Sequence, residues 1–561
     1  MTYREIREKF QKFFESKGHK LVPSASLVPE NDSSVLFTTA GMQQFKPYYT
    51  GAMDVEKDFG SLNTASIQKA VRTSAIEEVG DESHLTFFEM LGNFSFGGYE
   101  KKEAIQYAHE FITKEMGLPI DYVSVFGGDS DVSADEESEK IWKEIDSNIK
   151  IEKYGKEDNF WGPTGEEGPC GPSTEIFVNG VEIWNLVFNE FYCSKDKKLE
   201  PLKMKGVDTG MGLERLAMVS QGKSNVYETD LFIATMDKIR ELSPKDEEHS
   251  QRIIADHIRS AVFIISDGVF PSNTDKGYIL RRLIRRAVRQ ADLVGMPRGS
   301  LAKVANVVIN DYGNVYENLV TKGEEIRNEI QKEENSFIAN LSKGLKQLEK
   351  LGNNISGKDA FDLYQSYGFP IEMTRGIVIL EKGGSVDMEG YKEELKKHSE
   401  LSTTASAGRF KGGLAGGGDM ETKYHTATHL LFAVLRKILG EEVEQKGSNI
   451  TPERLRFDFS YPQKLTDEEK QQVENLVNQK IEEGLDTSMQ EVSVEEAKKM
   501  GAHGVFDKKY GDKVKVYKIG DFSLEICGGP HVKNTSELGE FKITKEESSS
   551  GGIRRIRAVL E

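Results

Sequence analysis

Val207 to Ala217 reads VDTGMGLERLA, an acid followed by a Gly-x-Gly pair that strips the backbone of side chains, then Glu214 and Arg215 opening an apolar run. Thr209, Gly210 and Gly212 suit a strand that ends in a tight turn into a helix. Arg215 then falls in the first helical turn, beside backbone N–H groups that already favour anions, which is a phosphate site in outline. Taken alone, Gly-x-Gly before a helix is more often a plain turn. The stretch gains meaning from Arg72, Glu89, Trp161 and Glu175, which lie upstream in segments with few structural reasons for those residues.

At 561 residues the chain has room for three or four domains, each with its own core. Lys and Arg number 74 against 92 Asp and Glu, a net charge of -18, so any polyanion partner has to be met by a local basic patch. The start, MTYREIREKFQKFF, carries charges and apolar residues at helical spacing, unlike a signal peptide, and no apolar run approaches the roughly 20 residues of a spanning helix. Cys170, Cys193 and Cys527 form a sparse, odd set that fits a reducing cytoplasm.

Short strand-like runs at Val35 to Thr39, Leu85 to Met90, Ser124 to Phe126 and Val181 to Phe188 follow one another without regular intervening helices. They predict an antiparallel α+β sheet domain over 1-241. The chain then turns helical over 242-398, with Ile326, Ile330, Phe337, Leu341, Leu345 and Leu348 near helical spacing. SELSTTASAGRFKGGLAGGG opens a Gly/Ser-rich connector at 399-420, and 421-561 restarts as a further α+β domain.

Arg72 and Glu89 sit on two candidate strands joined by a polar loop, an arrangement that aims both into one cavity, with Phe87 or Phe88 as a stacking face for a nucleotide. A surface Arg and core Phe residues are the plain alternative. NFWGPTGEEGPCGPSTE (159-175) is dense in Gly and Pro yet carries acids, and a rigid loop presenting carboxylates suits Mg²⁺ as well as it suits an ordinary surface turn. GYILRRLIRRAVRQ (277-290) places Arg281, Arg282, Arg285, Arg286 and Arg289 opposite Leu280, Leu283, Ile284, Ala287 and Val288, so one side packs and the other faces phosphates or water. His425 and His429, at i and i+4 in HTATHLL, share a helix face, and Cys527 and His531 in CGGPH supply a second pair. Together they have the donors for a tetrahedral zinc site.

VDTGMGLERLA looks like the third signature motif of class II aminoacyl-tRNA synthetases. With TTAGMQQFKPYY, LTFFEMLGNFSFGGY, NFWGPTGEEGPCGPSTEI and EIWNLVFNEF in order, the chain resembles the alanyl-tRNA synthetases from its first helix to Glu561. The resemblance implies a six- or seven-stranded antiparallel sheet that activates L-alanine with ATP and Mg²⁺ and charges tRNA(Ala). It further implies that Arg72 holds the α-phosphate, Arg215 the γ-phosphate, and Glu175 supports Mg²⁺. Asp208 would pair with the ammonium of alanine, Trp161 and Val187 line its side-chain pocket, and Met42, Glu89, Gly210 and Gly212 border the nucleotide. Asn273 matches the residue that reads the acceptor-stem G·U pair. Its partner falls at Glu372, where the family usually has Asp, so the carboxylate lies one methylene further out. His425, His429, Cys527 and His531 match the zinc ligands of the family's editing domain, with Gln445 as a further site residue.

Against the family pattern, two usual parts are expected to be missing, the small β-barrel before the histidine helix and the C-terminal oligomerising domain, and a monomer is expected with them. Two other classes fit the motifs less fully. A hydrolase whose front half only grips tRNA would not depend on Arg215, and a nonenzymatic RNA-binding paralogue would not need Arg72, Asp208 and Arg215 together.

Overall fold

A computed structural model describes residues 1–29, 35–163, 165–407, 418–503, 513–550 and 553–561. The polypeptide forms two compact units, one of Met1–Asn354 with Asp362–Ser385, the other of Ile355–Phe361 with Val386–Glu561.

The first unit opens with the helix Tyr3–Ser16. Thr2 and Glu5 cap it reciprocally, each side chain accepting from the other's backbone N–H at 3.3 and 2.8 Å, and Tyr3, Ile6, Phe10, Phe13 and Phe14 bury its apolar face. The sheet comprises β1 (Lys20–Leu21), β2 (Asn63–Val71), β3 (Phe87–Ser95), β4 (Tyr122–Phe126), β5 (Ile151–Tyr154), β6 (Phe160–Trp161), β7 (Gly168–Val178), β8 (Val181–Cys193) and β9 (Leu199–Gly212). Its order is β1-β2-β3-β9-β8-β7-β4-β5, with β6 paired to β7. All neighbours from β2 to β4 run antiparallel, while β1–β2 and β4–β5 are parallel. The six- or seven-stranded antiparallel sheet expected from the motifs is therefore a nine-stranded one with parallel edges. Helical crossovers such as Glu136–Ile145 between β4 and β5 are what allow parallel pairing there. Val35 to Thr39 forms no strand. Thr38 instead takes single backbone bonds, its N–H to Leu27 and its carbonyl from Val71.

Helix Glu248–Ser266 is buried almost all round because it runs beneath this sheet, where Phe263 stacks on Phe87 with ring centroids 3.9 Å apart. The division expected near residue 241 is thus not a packing boundary, since sheet and helices share one unit. Between them lies a buried polar layer. Arg259 and Glu214, each 1% exposed, form an ion pair, and the Glu214 carboxylate also accepts from Glu89 N–H at 3.2 Å. The Arg259 guanidinium sits among the rings of Phe87, Phe232 and Tyr312. Arg7 and the Tyr316 hydroxyl pair with Glu89, and Lys69 pairs with Asp267 at 2.7 Å.

In the second unit, helix Met388–Ala407 runs through the first part of the expected connector. A helix nucleated by YKEELKKH propagates cheaply through Ser, Thr and Ala; the rest of that connector, 408–417, lies outside the described residues. Helix Asp419–Leu439 then packs through Ala427, Leu431 and Leu435 on Leu455, Phe457 and Ile556 of a four-stranded antiparallel sheet. Its strands are ordered Gln445–Thr451, Arg454–Ser460, Ile553–Leu560, Phe541–Ser550. A three-stranded sheet of Thr487–Ser493, Lys513–Ile519 and Ser523–Ile526 completes it. No described helix is long and apolar enough to cross a membrane.

Replacing Arg259 by Leu leaves the Glu214 charge buried without a partner, and should cost about 3–5 kcal/mol of unfolding free energy. Denaturant titration measures it; an unchanged midpoint would show that the pair contributes nothing.

Candidate functional site

β9 ends in the chain reversal that VDTGMGLERLA predicted, with the helix Leu213–Ser220 starting directly after Gly212. A Cβ on Gly210 would meet Met90 Sδ at 2.8 Å and displace that side chain, whereas at Gly212 the same atom would make only ordinary contact with Arg215. Arg215 donates to the Glu182 carboxylate at 2.9 Å and to its carbonyl at 3.1 Å.

Arg215 lines a cavity of about 740 Å³ together with Arg72, Trp161, Glu175, Val187, Asp208, Gly210 and Gly212. Eight residues scattered from 72 to 215 thus meet on one face of the sheet. Arg72 lies over the Phe88 ring at 5.1 Å and donates to the Thr39 carbonyl at 3.3 Å, which selects Phe88 rather than Phe87 as the aromatic face. Burial, then the neighbouring Glu182 carboxylate, push Glu175 up to about 7, while Ser124 and Asn185 donate to it at 3.1 and 2.9 Å. Asp208 is 5% exposed, and burial pushes its carboxyl up to about 8. Among the described residues no hydrogen bond or ion pair answers its charge. A buried carboxylate held this way favours a cationic guest.

Two expected residues are not brought to this cavity. Side chains alternate along β3, so Phe88 and Met90 face the cavity and Glu89 faces the opposite layer, paired with Arg7 and Tyr316. Met42 lies in the apolar cluster with Phe45, Met90 and Phe94, behind the wall. Glu182 and Asn185 were not singled out from sequence. Asn185 was within reach, being two positions from Val187 on the same strand.

The arginine helix, Asp275–Leu293, buries Leu280, Leu283, Ile284, Ala287 and Val288 as its pattern predicts. Its other face is not an open basic surface, because Arg281, Arg282, Arg285, Arg286 and Arg289 are only 11–20% exposed. Glu333 bridges Arg281 and Arg285 at 3.3 and 2.7 Å, and Glu77 takes Arg282 and Arg286 at 2.6 and 3.6 Å. In a chain of this acidity, unpaired guanidinium groups recruit carboxylates from distant segments. Asn273 is exposed and accepts from Arg281, while Glu372 accepts from the Tyr278 hydroxyl at 3.2 Å and lies 3.4 Å from Arg282.

In the second unit the ligand atoms of His425, His429, Cys527 and His531 all lie within 4.8 Å of one another. His425 Nδ1–H donates to the Pro530 carbonyl at 3.0 Å, which leaves Nε2 as the lone pair, 3.2 Å from Cys527 Sγ. Thr426 Oγ1 donates to the Thr422 carbonyl and accepts from Val532 N–H. Its contact with His531 Nδ1 therefore has the imidazole donating, and His531 Nε2 is left buried without a partner among the described residues. Burial lowers His425 to about 4 and His531 to about 2, and burial with the neighbouring imidazoles lowers His429. Neutral His425 and His531 with lone pairs turned inward, His429 beside them and a thiol fit a tetrahedral metal ion; Glu525 lies 3.6 Å from His429 Nδ1, outside hydrogen-bond distance. Gln445 opens its strand and donates to Ser448 at 3.1 Å; it is not among the four.

Comparison with known proteins agrees with this geometry. The family described as tRNA synthetases class II (A) matches residues 5–435, and the threonyl and alanyl tRNA synthetase second additional domain matches 514–557, which includes Cys527 and His531. The protein is thus a class II tRNA synthetase in fold and sequence. It is 48% identical to the alanine–tRNA ligase of Treponema denticola over all of this chain and 99% of that one, and 46% identical to that of Borrelia hermsii over the whole of both. The counterpart from Petrotoga mobilis is 36% identical, with 80% of its length covered. Within that class, the chain belongs to the alanine–tRNA ligase family.

Proposed function

We propose that the chain joins L-alanine to tRNA(Ala) in the sheet cavity, and clears tRNA charged with serine or glycine at the histidine–cysteine cluster. The observation that carries the first half is the meeting of Arg72, Arg215 and Asp208 in one cavity. An oxygen of the alanine carboxylate attacks the α-phosphorus of ATP, the bond to pyrophosphate breaks, and a terminal ribose hydroxyl of the tRNA then displaces AMP from the acyl carbon. Negative charge gathers on the phosphoryl oxygens during the first step, and fixed guanidinium groups stabilise it without covalent help. Arg72 serves the α-phosphate, with Phe88 beneath it, and Arg215 the γ-phosphate, exchanging Glu182 for the nucleotide. Mg²⁺ arriving with ATP would neutralise phosphate charge, with Glu175 beside it. Asp208 takes the ammonium of alanine, and Trp161 and Val187 close on its methyl group.

A pocket sized for methyl admits glycine, and serine adds one hydroxyl, so binding alone discriminates by about 1–3 kcal/mol. A second, hydrolytic site answers that deficit. His425, His429, Cys527 and His531 would hold Zn²⁺, which supplies Lewis acidity or an anchor for the tRNA end, and burial keeps the imidazoles neutral. Gln445 is retained as a residue of that pocket. Asn273 and Glu372 would read the acceptor-stem wobble pair.

Alanine-dependent exchange between pyrophosphate and ATP tests the first half. Asp208 has to shed its proton to pair with ammonium. KM for alanine should therefore fall by roughly tenfold per pH unit climbed toward about 8 and then level off, and Asp208→Asn should abolish exchange. A KM flat across that range, or full activity in the variant, contradicts the assignment. For the second half, metal analysis of the purified protein should find about one zinc per chain, reduced in both Cys527→Ala and His531→Ala. Undiminished zinc in both would remove them from the ligand set.

A further inference from the structure

A second cavity, of about 310 Å³, lies in the first unit on the other side of the loop that joins β2 to β3; Glu77, His249, Arg282, Arg286, Arg289 and Glu372 line it. Ser74, Ala75 and Glu78 of that loop line the nucleotide cavity, so one short turn, Ser74–Glu77, separates the two. Its outward side is held from the arginine helix. Arg282 bonds Glu77 at 2.6 Å, and Arg286 bonds both the Ile76 carbonyl and, at 3.6 Å, Glu77. The far end of the loop is pinned independently. Arg252 donates to the Gly80 and Asp81 carbonyls at 3.3 and 3.2 Å, and Gly80, at φ +120°, packs against His249. The position of Ser74–Glu78 therefore depends on what Arg282 and Arg286 are bonded to.

We infer that this cavity seats a backbone phosphate of the RNA the chain charges, and that Glu77 is a latch which this phosphate displaces, freeing the Ser74–Glu78 turn to close over the nucleotide. The inference rests on the tRNA-charging reading above. Glu77 and Glu372 occupy guanidinium donors whose planar fork suits phosphate as well as carboxylate, and the buried Arg282 Nε has no acceptor among the described residues. Glu77, 48% exposed at its side chain, is free to swing away. Thermodynamic reciprocity then requires that nucleotide tighten RNA binding by the same factor as RNA tightens nucleotide binding.

The test uses the full chain and its Glu77→Gln variant, with fluorescence anisotropy of labelled tRNA(Ala) titrated with and without a nonhydrolysable ATP analogue. The latch predicts that the analogue tightens RNA binding several-fold in the unmodified chain. It also predicts that Glu77→Gln binds RNA roughly three- to tenfold tighter without the analogue, which then adds nothing. Arg282→Ala should weaken RNA binding in both conditions. Equal or weaker RNA binding by Glu77→Gln, or coupling retained in it, overturns the latch. Analogue affinity raised equally by inorganic phosphate alone would assign the cavity to free phosphate and overturn its assignment to RNA. An unmodified chain that binds no tRNA would instead defeat the charging reading itself.

Discussion

The first unit depends on a constraint of direction at Glu214. Its carboxylate is committed to Arg259 and to the backbone N–H of Glu89, at a site where an unpaired charge is intolerable, and the residue borders the cavity that Arg215 lines. Successive residues on a helix are turned by about 100°, so anchoring Glu214 on Arg259 fixes the direction in which its neighbour Arg215 leaves the same turn, and both border the sheet cavity. The same pair holds helix Glu248–Ser266 against β3 through Phe87, which in turn fixes the strand that carries Phe88 and Met90 into the cavity wall. The placement of Arg215 and the burial of the Glu214–Arg259 pair are thus linked through one helical turn.

Charge and polarity are handled in three contrasting ways across the molecule. In the sheet cavity Asp208 is desolvated with no cation among the described residues to meet it, and Glu175 is raised by burial beside Glu182. Such groups are poised for a guest that brings positive charge, an ammonium or a metal with its phosphates. Along the arginine helix every guanidinium charge has already found a carboxylate, from Glu77, Glu333, Glu372 or Asp292. A protein of net charge -18 meets a polyanion only where its own acids can step aside. The histidine–cysteine cluster follows a third pattern, in which hydrogen bonds from His425 to Pro530 and from His531 to Thr426 choose the tautomers that turn lone pairs inward.

Local chemistry was the legible part of the sequence. The strand-to-helix reversal at Gly212, the buried face of GYILRRLIRRAV and the i, i+4 pair His425 and His429 all follow from spacing within a few residues. Glu89 and Met42 were misplaced for a different reason: each has the right neighbours in sequence but the wrong parity or depth once β3 lies in the sheet. The parity of Phe88 and Met90 held the signal that Glu89 faces away. Partners drawn from far along the chain left no such signal. Glu77 is 205 positions from Arg282, and Thr426 and Pro530 orient histidines more than a hundred residues distant. The parallel edges of the sheet were hidden similarly, since they depend on where helical crossovers return the chain.

The central claim, that Arg72, Arg215 and Asp208 serve one reaction, is tested most directly by a crystal structure with a nonhydrolysable alanyl-adenylate analogue and pyrophosphate. The account predicts the adenylate phosphate within hydrogen-bond distance of Arg72, the pyrophosphate against Arg215, and the ammonium of the alanyl group on Asp208. An analogue bound with its phosphates and its ammonium in separate clefts would contradict it.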